Sequence, residues 1–509
     1  MFVPLTVNDF LDRAAQVYPD RVALVDEPDQ PATPLEPWSY RRFAAGAASQ
    51  AAGLDRLGVP VGGRVAIVSH NSGRLLTSFF GVSGSGRVLV PVNFRLAPAE
   101  VEYIVGHSGA EVLFIDPELT SLLDTVRVPH TYVLGECDDE FFSGRDAGRP
   151  WAGEEGATAT INYTSGTTAR PKGVQLTHRN LWLNAVTFAM HTTLSDRDVL
   201  LHTLPMFHAN GWGMPYALTG VGGRHIVLRK VDGAEVLRRI DQNGVTILCG
   251  APAVLAMVLD AAATWDGPIP GRDRVRVVVA GAPPPTRTIE RIETELGWEF
   301  IQIYGLTETS PLLTINRRRA EWDELDPTSR ARLLGRAGAP GLGTTLRVDE
   351  SGEVLARSNV VLEAYWDQPE ETARALDDGW FHTGDGGYVA DGYLTISDRK
   401  KDVIITGGEN VSSIEVEDVI ASHPAVREVA VVGIPDDTWG EAVTALVVTD
   451  GSPLTAEDVI AHCRGTLAGF KCPKRVEFRD SLPRTATGKL QKFKLRADFW
   501  QGEERSIKG

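Results

Sequence analysis

Short apolar runs alternate with helical segments through the first part of the chain. The run from Arg64 to Val68 is typical of a buried strand, and 73–80 is typical of the helix that follows it. Further strands are predicted over 87–92 and 111–115, with a helix between them that begins at Pro98, a residue that a first helical turn tolerates. Strands that alternate with helices form largely parallel sheets covered by helices. The chain is therefore predicted to have an α/β fold.

The chain is also long enough for more than one domain. Its 509 residues exceed the length of about 250–300 residues at which a single core stops growing. The pattern changes at Asp398, where the charge run DRKKD separates two apolar strands. We therefore predict an N-terminal domain over 1–397 and a C-terminal domain over 398–509. In the second domain we expect helices at 414–421 and 456–467 and strands at 428–432, 443–448 and 475–478.

The net charge limits the class of partner. A formal charge of −16 at pH 7 argues against a nucleic acid, because that partner is a polyanion. It does not exclude an anionic small molecule, since a phosphate site needs only local backbone N–H groups and one or two cations.

Sequence features of membrane and secreted proteins are missing. No apolar run approaches the length of about 18–20 residues that spans a bilayer, and the first residues do not resemble a secretory signal. The four cysteines show no C-x-x-C spacing, which favours free buried thiols over a disulfide or metal site. We expect a cytoplasmic protein without an integral membrane segment.

The segment from Tyr163 to Val174, YTSGTTARPKGV, combines four hydroxyls, two glycines and a lysine after a strand-like run. Glycine allows positive φ and lets backbone amides point inward, while the hydroxyls and Lys172 supply further donors for phosphate oxygens. From composition alone a flexible surface loop is equally acceptable, and the Walker pattern is absent.

This segment resembles the signature loop of the adenylate-forming superfamily, which includes acyl-CoA synthetases, peptide-synthetase adenylation domains and luciferases. Ala169 stands where that loop commonly has glycine, so we expect its mobility to differ. Four more motifs follow in the family's order and cover most of the chain: YGLTE at 304–308, FHTGD at 381–385, DRKKDVIITGGEN at 398–410 and PRTATGK at 483–489. The stretch 320–365 looks abbreviated around Gly352, and we expect a hairpin to be missing there.

The resemblance implies a large N-terminal domain of helix-covered mixed β-sheets and a small mobile C-terminal α/β domain. It also implies an ATP-dependent acid–thiol ligase, closest in look to fatty-acyl-CoA synthetases. Such an enzyme joins a carboxylic acid to AMP with release of pyrophosphate and then transfers the acyl group to coenzyme A. Because negative charge concentrates on phosphate oxygens, we expect catalysis by positioning and electrostatics.

The resemblance assigns the nucleotide to particular residues. Thr307 is expected to contact the α-phosphate and Glu308 to ligate Mg²⁺, a hard cation that prefers carboxylate oxygen. Asp385 is expected to accept hydrogen bonds from the ribose hydroxyls beside Arg399, and Tyr304 to stack on adenine. The β- and γ-phosphates are assigned to Thr164, Ser165, Gly166, Thr167, Thr168 and Lys172. The wall opposite Tyr304 is assigned to Gly281, Ala282 and Pro283.

Three further roles concern the C-terminal domain. Lys489 is expected to deliver its ammonium group to the α-phosphate and the attacking carboxylate. Asp398 is expected to be the hinge about which the domain turns after adenylation. Gly407 and Gly408 would then form one wall of the CoA tunnel, because they carry no side chains.

The acid is less well defined. The segment 205–215 resembles the acyl site of fatty-acyl-CoA synthetases, in which Trp212 would gate the tunnel and His208 and Gly281 would border the acid. We favour a medium- or long-chain fatty acid, although aryl acids use similar segments. The open alternatives are a carrier-protein ligase, a nitrite-activating diazotase acting on an arylamine, a luciferase-like oxygenase, and a nucleotide-binding protein that has lost catalysis. A homodimer is a further open expectation.

Overall fold

The protein is described here from a computed structural model. The structure describes residues 1–164, 170–281, 284–399, 402–436, 439–485 and 489–500. Within these residues the strands form four sheets, and helices pack on them.

The first sheet has a parallel centre and antiparallel edges. Six neighbouring strands run parallel, and antiparallel strands extend the sheet at both ends. In sheet order the strands are Ala339–Pro340, Thr314–Arg317, Glu299–Tyr304, Arg276–Val279, Ile247–Gly250, Val199–His202, Arg224–Val227, Val22–Val25 and Trp38–Ser39.

The second sheet carries the phosphate-loop segment. Its strands are, in order, Ala364–Tyr365, Lys172–Thr177, Thr158–Thr164, Val88–Val92, Arg64–Val68, Ala110–Ile115 and His130–Val133. The last five are parallel to one another, and the first two are antiparallel additions. The strands predicted at 64–68, 87–92 and 111–115 are confirmed to within one residue.

The third sheet is antiparallel and corrects one expectation. Its strands are Thr344–Val348, Glu353–Ser358, Trp380–Ala390 and Leu376–Asp377, and Tyr393–Arg399 pairs with Trp380–Ala390. The prediction of a missing hairpin near Gly352 is wrong, because Thr344–Val348 and Glu353–Ser358 form a hairpin. Asp349 makes the tight turn: its backbone oxygen accepts from Gly352 N at 3.0 Å, and Gly352 takes φ +80°.

The fourth sheet belongs to the C-terminal part of the chain. Its strands are Glu409–Val411, Ile404–Thr406, Gly440–Thr449 and Val426–Asp436, with Arg475–Phe478 added alongside Gly440–Thr449. The apolar side chains of this sheet and its helices form clusters of their own, which include Val431, Val443 and Cys463. The α/β fold with a large N-terminal and a smaller C-terminal part is therefore confirmed. The boundary at Asp398 stays a prediction.

Helices cover these sheets. The α-helices are Asn8–Val17, Tyr40–Arg56, Gly73–Gly81, Pro98–Ser108, Asp138–Phe141, His178–His191, Met214–Val221, Gly233–Asn243, Pro252–Ala262, Thr286–Arg291, Pro327–Leu334, Pro369–Ala375, Ser413–Ala421, Ala456–Arg464 and Lys492–Ala497. Thr307–Thr309 is a single turn of 3₁₀-helix, whereas His208–Gly213 is a short segment in which residues 209–212 have positive φ. The predicted helix 456–467 ends three residues early, and the strand predicted at 428–432 extends to Val426–Asp436.

Helix His178–His191 shows how local sequence fixes an element next to the site. Thr177 Oγ1 accepts from Asn180 N at 3.1 Å, and Asn180 Oδ1 accepts from Thr177 N at 2.8 Å. This reciprocal cap satisfies two of the backbone N–H groups that a helix start leaves unpaired. The helix is thereby anchored to the strand that ends at Thr177, and it carries Asn184 towards the site.

Free buried cysteines and the absence of a membrane-spanning run were predicted from the sequence. All four cysteines are free and buried, as expected. Among the described residues, no helix has the length and apolar character to cross a bilayer. Cytoplasmic location and a homodimer stay predictions.

Candidate active site

The phosphate-loop segment connects two antiparallel strands. Thr164, at the end of Thr158–Thr164, pairs directly with Lys172, at the start of Lys172–Thr177. The loop therefore leaves the second sheet at one residue and returns at its cross-strand partner. Outside the described residues lie six of the predicted site residues: Ser165, Gly166, Thr167, Thr168, Ala282 and Pro283.

Lys172 is held by two groups from later in the chain. Its ammonium makes an ion pair with Glu371 and lies 5.0 Å from the centre of the Tyr365 ring. The Tyr365 hydroxyl in turn donates to Glu308 Oε1 at 3.0 Å. Tyr365 thus lies between the loop lysine and the predicted magnesium ligand, and the motifs alone did not single it out.

The YGLTE segment turns sharply after strand Glu299–Tyr304. A side chain at Gly305 would place its Cβ 1.6 Å from the backbone oxygen of Pro311, so only glycine fits there. Thr307 and Glu308 follow in a 3₁₀ turn, which Thr309 fixes by accepting from Leu306 N at 2.9 Å. The turn presents Thr307 to a small cavity and Glu308 to Tyr365.

Asp385 lies beside Tyr304 and Arg399. The Tyr304 hydroxyl donates to Asp385 Oδ2 at 2.8 Å, and Arg399 Nε is 3.5 Å from Oδ1. Arg399 is the cross-strand partner of Asp385 in the third sheet. Burial raises the pKa of the Asp385 carboxyl, while Arg399, Tyr304 and Lys489 oppose that shift. The structure therefore brings together the three residues that the sequence assigned to adenosine.

Lys489 reaches the same place from the C-terminal part of the chain. Its Cε lies 3.0 Å from the position that a Cβ on Gly281 would take, and Gly281 has φ +96°. Burial lowers the pKa of Lys489 to about 8, and the charge of Arg399 adds to this effect, whereas Asp385 and Glu308 oppose it. The lysine is thus surrounded by the predicted nucleotide residues.

A cavity of about 40 Å³ lies where these elements meet. One water needs about 10–15 Å³ by the same measure, so the cavity admits only a few small groups. Burial lowers the pKa of His208 to about 3, and the charge of Lys489 contributes, so this imidazole is neutral. The lining residues are His208, Ala209, Trp212, Ala280, Gly281, Ile303, Gly305, Leu306, Thr307, Pro311 and Lys489.

One wall of this cavity is a left-handed turn. Residues 209–212 all have φ between +37° and +59°, and three of them are not glycine. A non-glycine residue in this conformation costs about 1–2 kcal/mol. The turn buries the Trp212 side chain against the core. Asn210 and Gly211 tolerate positive φ and could have signalled a turn, but Ala209 and Trp212 gave no such signal.

Asn184 connects two walls of the cavity and was missed from the sequence. Its Nδ2 donates to the backbone oxygen of Trp212 at 3.4 Å, and its Oδ1 accepts from Leu312 N at 3.2 Å. The residue is fully buried on helix His178–His191. A single amide therefore positions both the left-handed turn and the segment after the YGLTE motif.

The predicted hinge and tunnel residues lie apart from the cavity. Asp398 is buried and accepts from Ser413 N at 2.9 Å, which links strand Tyr393–Arg399 to the first C-terminal helix. Gly407 and Gly408 are exposed at positive φ, and a Cβ on Gly408 would meet nothing within 4 Å. Neither glycine belongs to the cavity lining in the described part of the chain.

The site thus combines a small cavity, a lysine in its lining and nearby polar groups suited to a nucleotide. Two family models match this chain: the AMP-binding enzyme over residues 11–366, and the AMP-binding enzyme C-terminal domain over residues 415–489. The first match alone covers more than half of the chain.

The chain belongs to the AMP-binding enzyme family.

Individual members of the family align over nearly the whole length. The 4-hydroxybutyrate–CoA ligase 2 of Metallosphaera sedula is 38% identical, with 97% of this chain and 94% of the relative aligned. The 2-methylpropanoate–CoA ligase of Humulus lupulus is 37% identical, with 97% and 95% aligned. A solved anthranilate CoA ligase in complex with anthranoyl-AMP superposes with a TM-score of 0.87 at 27% identity, covering 98% of both chains.

The predicted resemblance and enzyme class are confirmed. This AMP-binding enzyme is an AMP-forming acyl-CoA synthetase, which takes ATP, an acid and CoA.

Proposed function

We propose that this acyl-CoA synthetase activates a short aliphatic acid as acyl-AMP at the cavity beside Lys489 and then transfers the acyl group to CoA. The proposal rests on the position of Lys489. Its stem packs on Gly281 in the lining of the cavity, and the negative charges of Asp385 and Glu308 act on its ammonium group.

The first step joins the acid to AMP. One carboxylate oxygen attacks the α-phosphorus of ATP, the bond to the β-phosphate oxygen breaks, and pyrophosphate leaves. Lys489, with a pKa of about 8, is mostly protonated at neutral pH. We assign it to the carboxylate and the α-phosphate, with Thr307 as a hydroxyl donor to that phosphate. Fixed donors aimed at developing charge are the main source of catalysis in such reactions.

The nucleotide and its phosphates occupy the adjoining surface in this proposal. Asp385 and Arg399 bind the ribose, and Tyr304 stacks on adenine while its hydroxyl orients Asp385 at 2.8 Å. Lys172 and Thr164 contact the β- and γ-phosphates at the two ends of the loop. The same assignment extends to loop residues Ser165, Gly166, Thr167 and Thr168 and, opposite Tyr304, to Gly281, Ala282 and Pro283.

Glu308 is suited to hold Mg²⁺. One carboxylate oxygen accepts from Tyr365, which fixes the orientation of the group, and the side chain is only partly buried. The described residues contain no cluster of three acidic, histidine or cysteine ligands. That fits Mg²⁺, which typically takes one or two carboxylates and completes its shell with water and phosphate oxygens. The ion would neutralise phosphate charge.

The second step needs a different arrangement. The CoA sulfur bonds to the acyl carbon, the carbon–oxygen bond to AMP breaks, AMP leaves, and the thiol proton is released. We propose that rotation about Asp398 withdraws Lys489 and brings Gly407 and Gly408 to the cavity. Among the described residues, Lys489 lines the cavity and the two glycines do not, which supports such a movement.

The acid we propose is a fatty acid at the short end of that class. A cavity of about 40 Å³ supports a short tail over the medium or long chain favoured by the acyl-site segment. Trp212 is buried across one wall, where it limits the depth. The similar relatives named for 4-hydroxybutyrate and 2-methylpropanoate support the same size range.

The test is a product analysis with the purified enzyme, ATP and Mg²⁺. Acetate, butyrate, 2-methylpropanoate, decanoate, benzoate and nitrite are each offered with CoA, with a carrier protein and with an arylamine. Mass spectrometry should detect AMP and a short acyl-CoA, and acyl-AMP when CoA is omitted. A product that forms only from nitrite and the arylamine, or only on the carrier protein, would contradict the proposal.

A further inference from the structure

Lys172 forms an ion pair with Glu371. The Glu371 carboxylate thus lies beside the ammonium group to which the proposed function assigns a phosphate of ATP. Lys172 ends the phosphate-loop segment, and Glu371 lies on helix Pro369–Ala375. The two side chains keep 31% and 27% of their surface exposed, so solutes reach the pair. A carboxylate is a natural substitute for a phosphate oxygen, because both accept hydrogen bonds from an ammonium group.

Glu371 is built into this position by its surroundings. Tyr365 N donates to Thr372 Oγ1 at 2.9 Å, and Thr372 Oγ1 donates to Gln368 O at 2.9 Å. These bonds tie the helix to strand Ala364–Tyr365, whose aromatic ring lies under the Lys172 ammonium. The Glu371 carboxylate therefore lies on a helix that is hydrogen-bonded to the strand whose Tyr365 ring contacts Lys172.

Glu371 also has a second partner, Arg374, one helical turn later. Arg374 pairs with the Oε1 atom of Glu371, whereas Lys172 pairs with Oε2. The Arg374 side chain is 70% exposed. If a phosphate binds Lys172 in place of Glu371, the Glu371 carboxylate can still pair with Arg374. Neither anion is then left without a cation.

We propose that Glu371 competes with the phosphates of ATP and pyrophosphate for Lys172 and thereby speeds the departure of pyrophosphate. The inference rests on the proposed contact of Lys172 with those phosphates. In the proposed reaction pyrophosphate leaves before CoA reacts, and an anion that pairs again with Lys172 lowers the affinity of the enzyme for this product. Glu371 is a positioning residue here, since it acts through Lys172.

The test measures binding of Mg²⁺–pyrophosphate, Mg²⁺–ATP and AMP to the full-length enzyme by calorimetry. A partly exposed ion pair is worth up to about 1 kcal/mol, so Glu371→Gln should tighten pyrophosphate and ATP binding up to about fivefold. AMP lacks the outer phosphates, and its affinity should stay the same. Glu370→Gln is the matched control, because Glu370 is an exposed neighbour on the same helix and carries the same charge. It should change none of the three affinities.

Two further variants decide the mechanism. Arg374→Gln removes the alternative partner of Glu371 and should weaken pyrophosphate binding, the opposite of the effect of Glu371→Gln. In a Lys172→Gln background, Glu371→Gln should lose its effect, as coupled residues require.

Several results would overturn the inference: unchanged or weaker pyrophosphate binding by the Glu371→Gln variant, an equal gain with Glu370→Gln, or a gain that persists without Lys172. A wild-type enzyme that binds neither ATP nor pyrophosphate would contradict the proposed function itself.

Discussion

The cavity beside Lys489 and the glycine pair at 407–408 differ in almost every physical property. The cavity is enclosed by side chains from both parts of the chain, and its lysine has a pKa lowered by burial. The glycines are exposed, and a side chain on Gly408 would meet no atom within 4 Å. In the part of the chain that the structure describes, Lys489 lines the cavity and the two glycines do not. In the proposed mechanism this contrast corresponds to two half-reactions, between which the C-terminal segment that faces the cavity is exchanged.

Loss of Lys489 should have the largest effect, and it should separate the two half-reactions. Lys489→Ala should reduce acid-dependent ATP–pyrophosphate exchange by about 100- to 1000-fold, because a donor aimed at developing charge is lost. CoA ester formation from supplied acyl-AMP should stay largely intact, since that step needs the lysine withdrawn. Both half-reactions are measured on one preparation. Equal loss in the two would remove the assigned role.

A bulky residue at Gly408 should give the reverse pattern. Gly408→Leu should spare exchange and reduce CoA ester formation by about 100-fold, because a misplaced thiol loses its alignment with the acyl carbon. Gly451→Leu is the control, since Gly451 also has positive φ, lies in the C-terminal part and has open space around it. Thioester synthesis that is equally slow in both variants would point to backbone strain.

A methyl group at Gly281 should act on Lys489, whose side chain it would meet. Its Cβ would lie 3.0 Å from Lys489 Cε, so Gly281→Ala should displace the lysine and slow exchange by about tenfold. Gly267→Ala is matched for strain, because Gly267 has φ +97° and no neighbour within 4 Å, against +96° at Gly281. Exchange rates that fall equally in both variants would argue against a packing role.

The smallest expected effect is on pH dependence. A lysine with a pKa of about 8 loses its positive charge as pH rises, so kcat/KM for exchange should fall about twofold from pH 7 to pH 8 and continue downward. Thioester formation from acyl-AMP should lack this decrease. Lys489→Arg should remove the decrease from whatever exchange activity remains, because guanidinium stays protonated. A flat profile for the wild-type enzyme would contradict the assignment.

The motifs correctly predicted those site residues whose type is restricted by the chemistry. Tyr304, Asp385, Arg399 and Lys489 were placed together from the sequence, and the structure brings them together. The alternation of strands and helices likewise predicted three of the seven strands of the second sheet to within one residue, because buried parallel strands require continuous apolar runs.

What the sequence did not predict depends on tertiary context. The hairpin at 344–358 was rejected by comparison with a family pattern, although its turn residues Asp349 and Gly352 are ordinary turn formers. The left-handed turn at 209–212 is imposed on Ala209 and Trp212 by surrounding contacts such as Asn184, against their own preference. Glu371 pairs with Lys172 across 199 positions of sequence, a separation at which no local pattern operates.

The most direct test of the account is the dependence of adenylation on the length of the acid. ATP–pyrophosphate exchange is measured for straight-chain acids from acetate to palmitate at one enzyme concentration. Because the cavity admits only a few small groups, kcat/KM should peak at or below pentanoate and decline steeply by octanoate. A kcat/KM that rises from octanoate to palmitate would contradict this small cavity as the acid site.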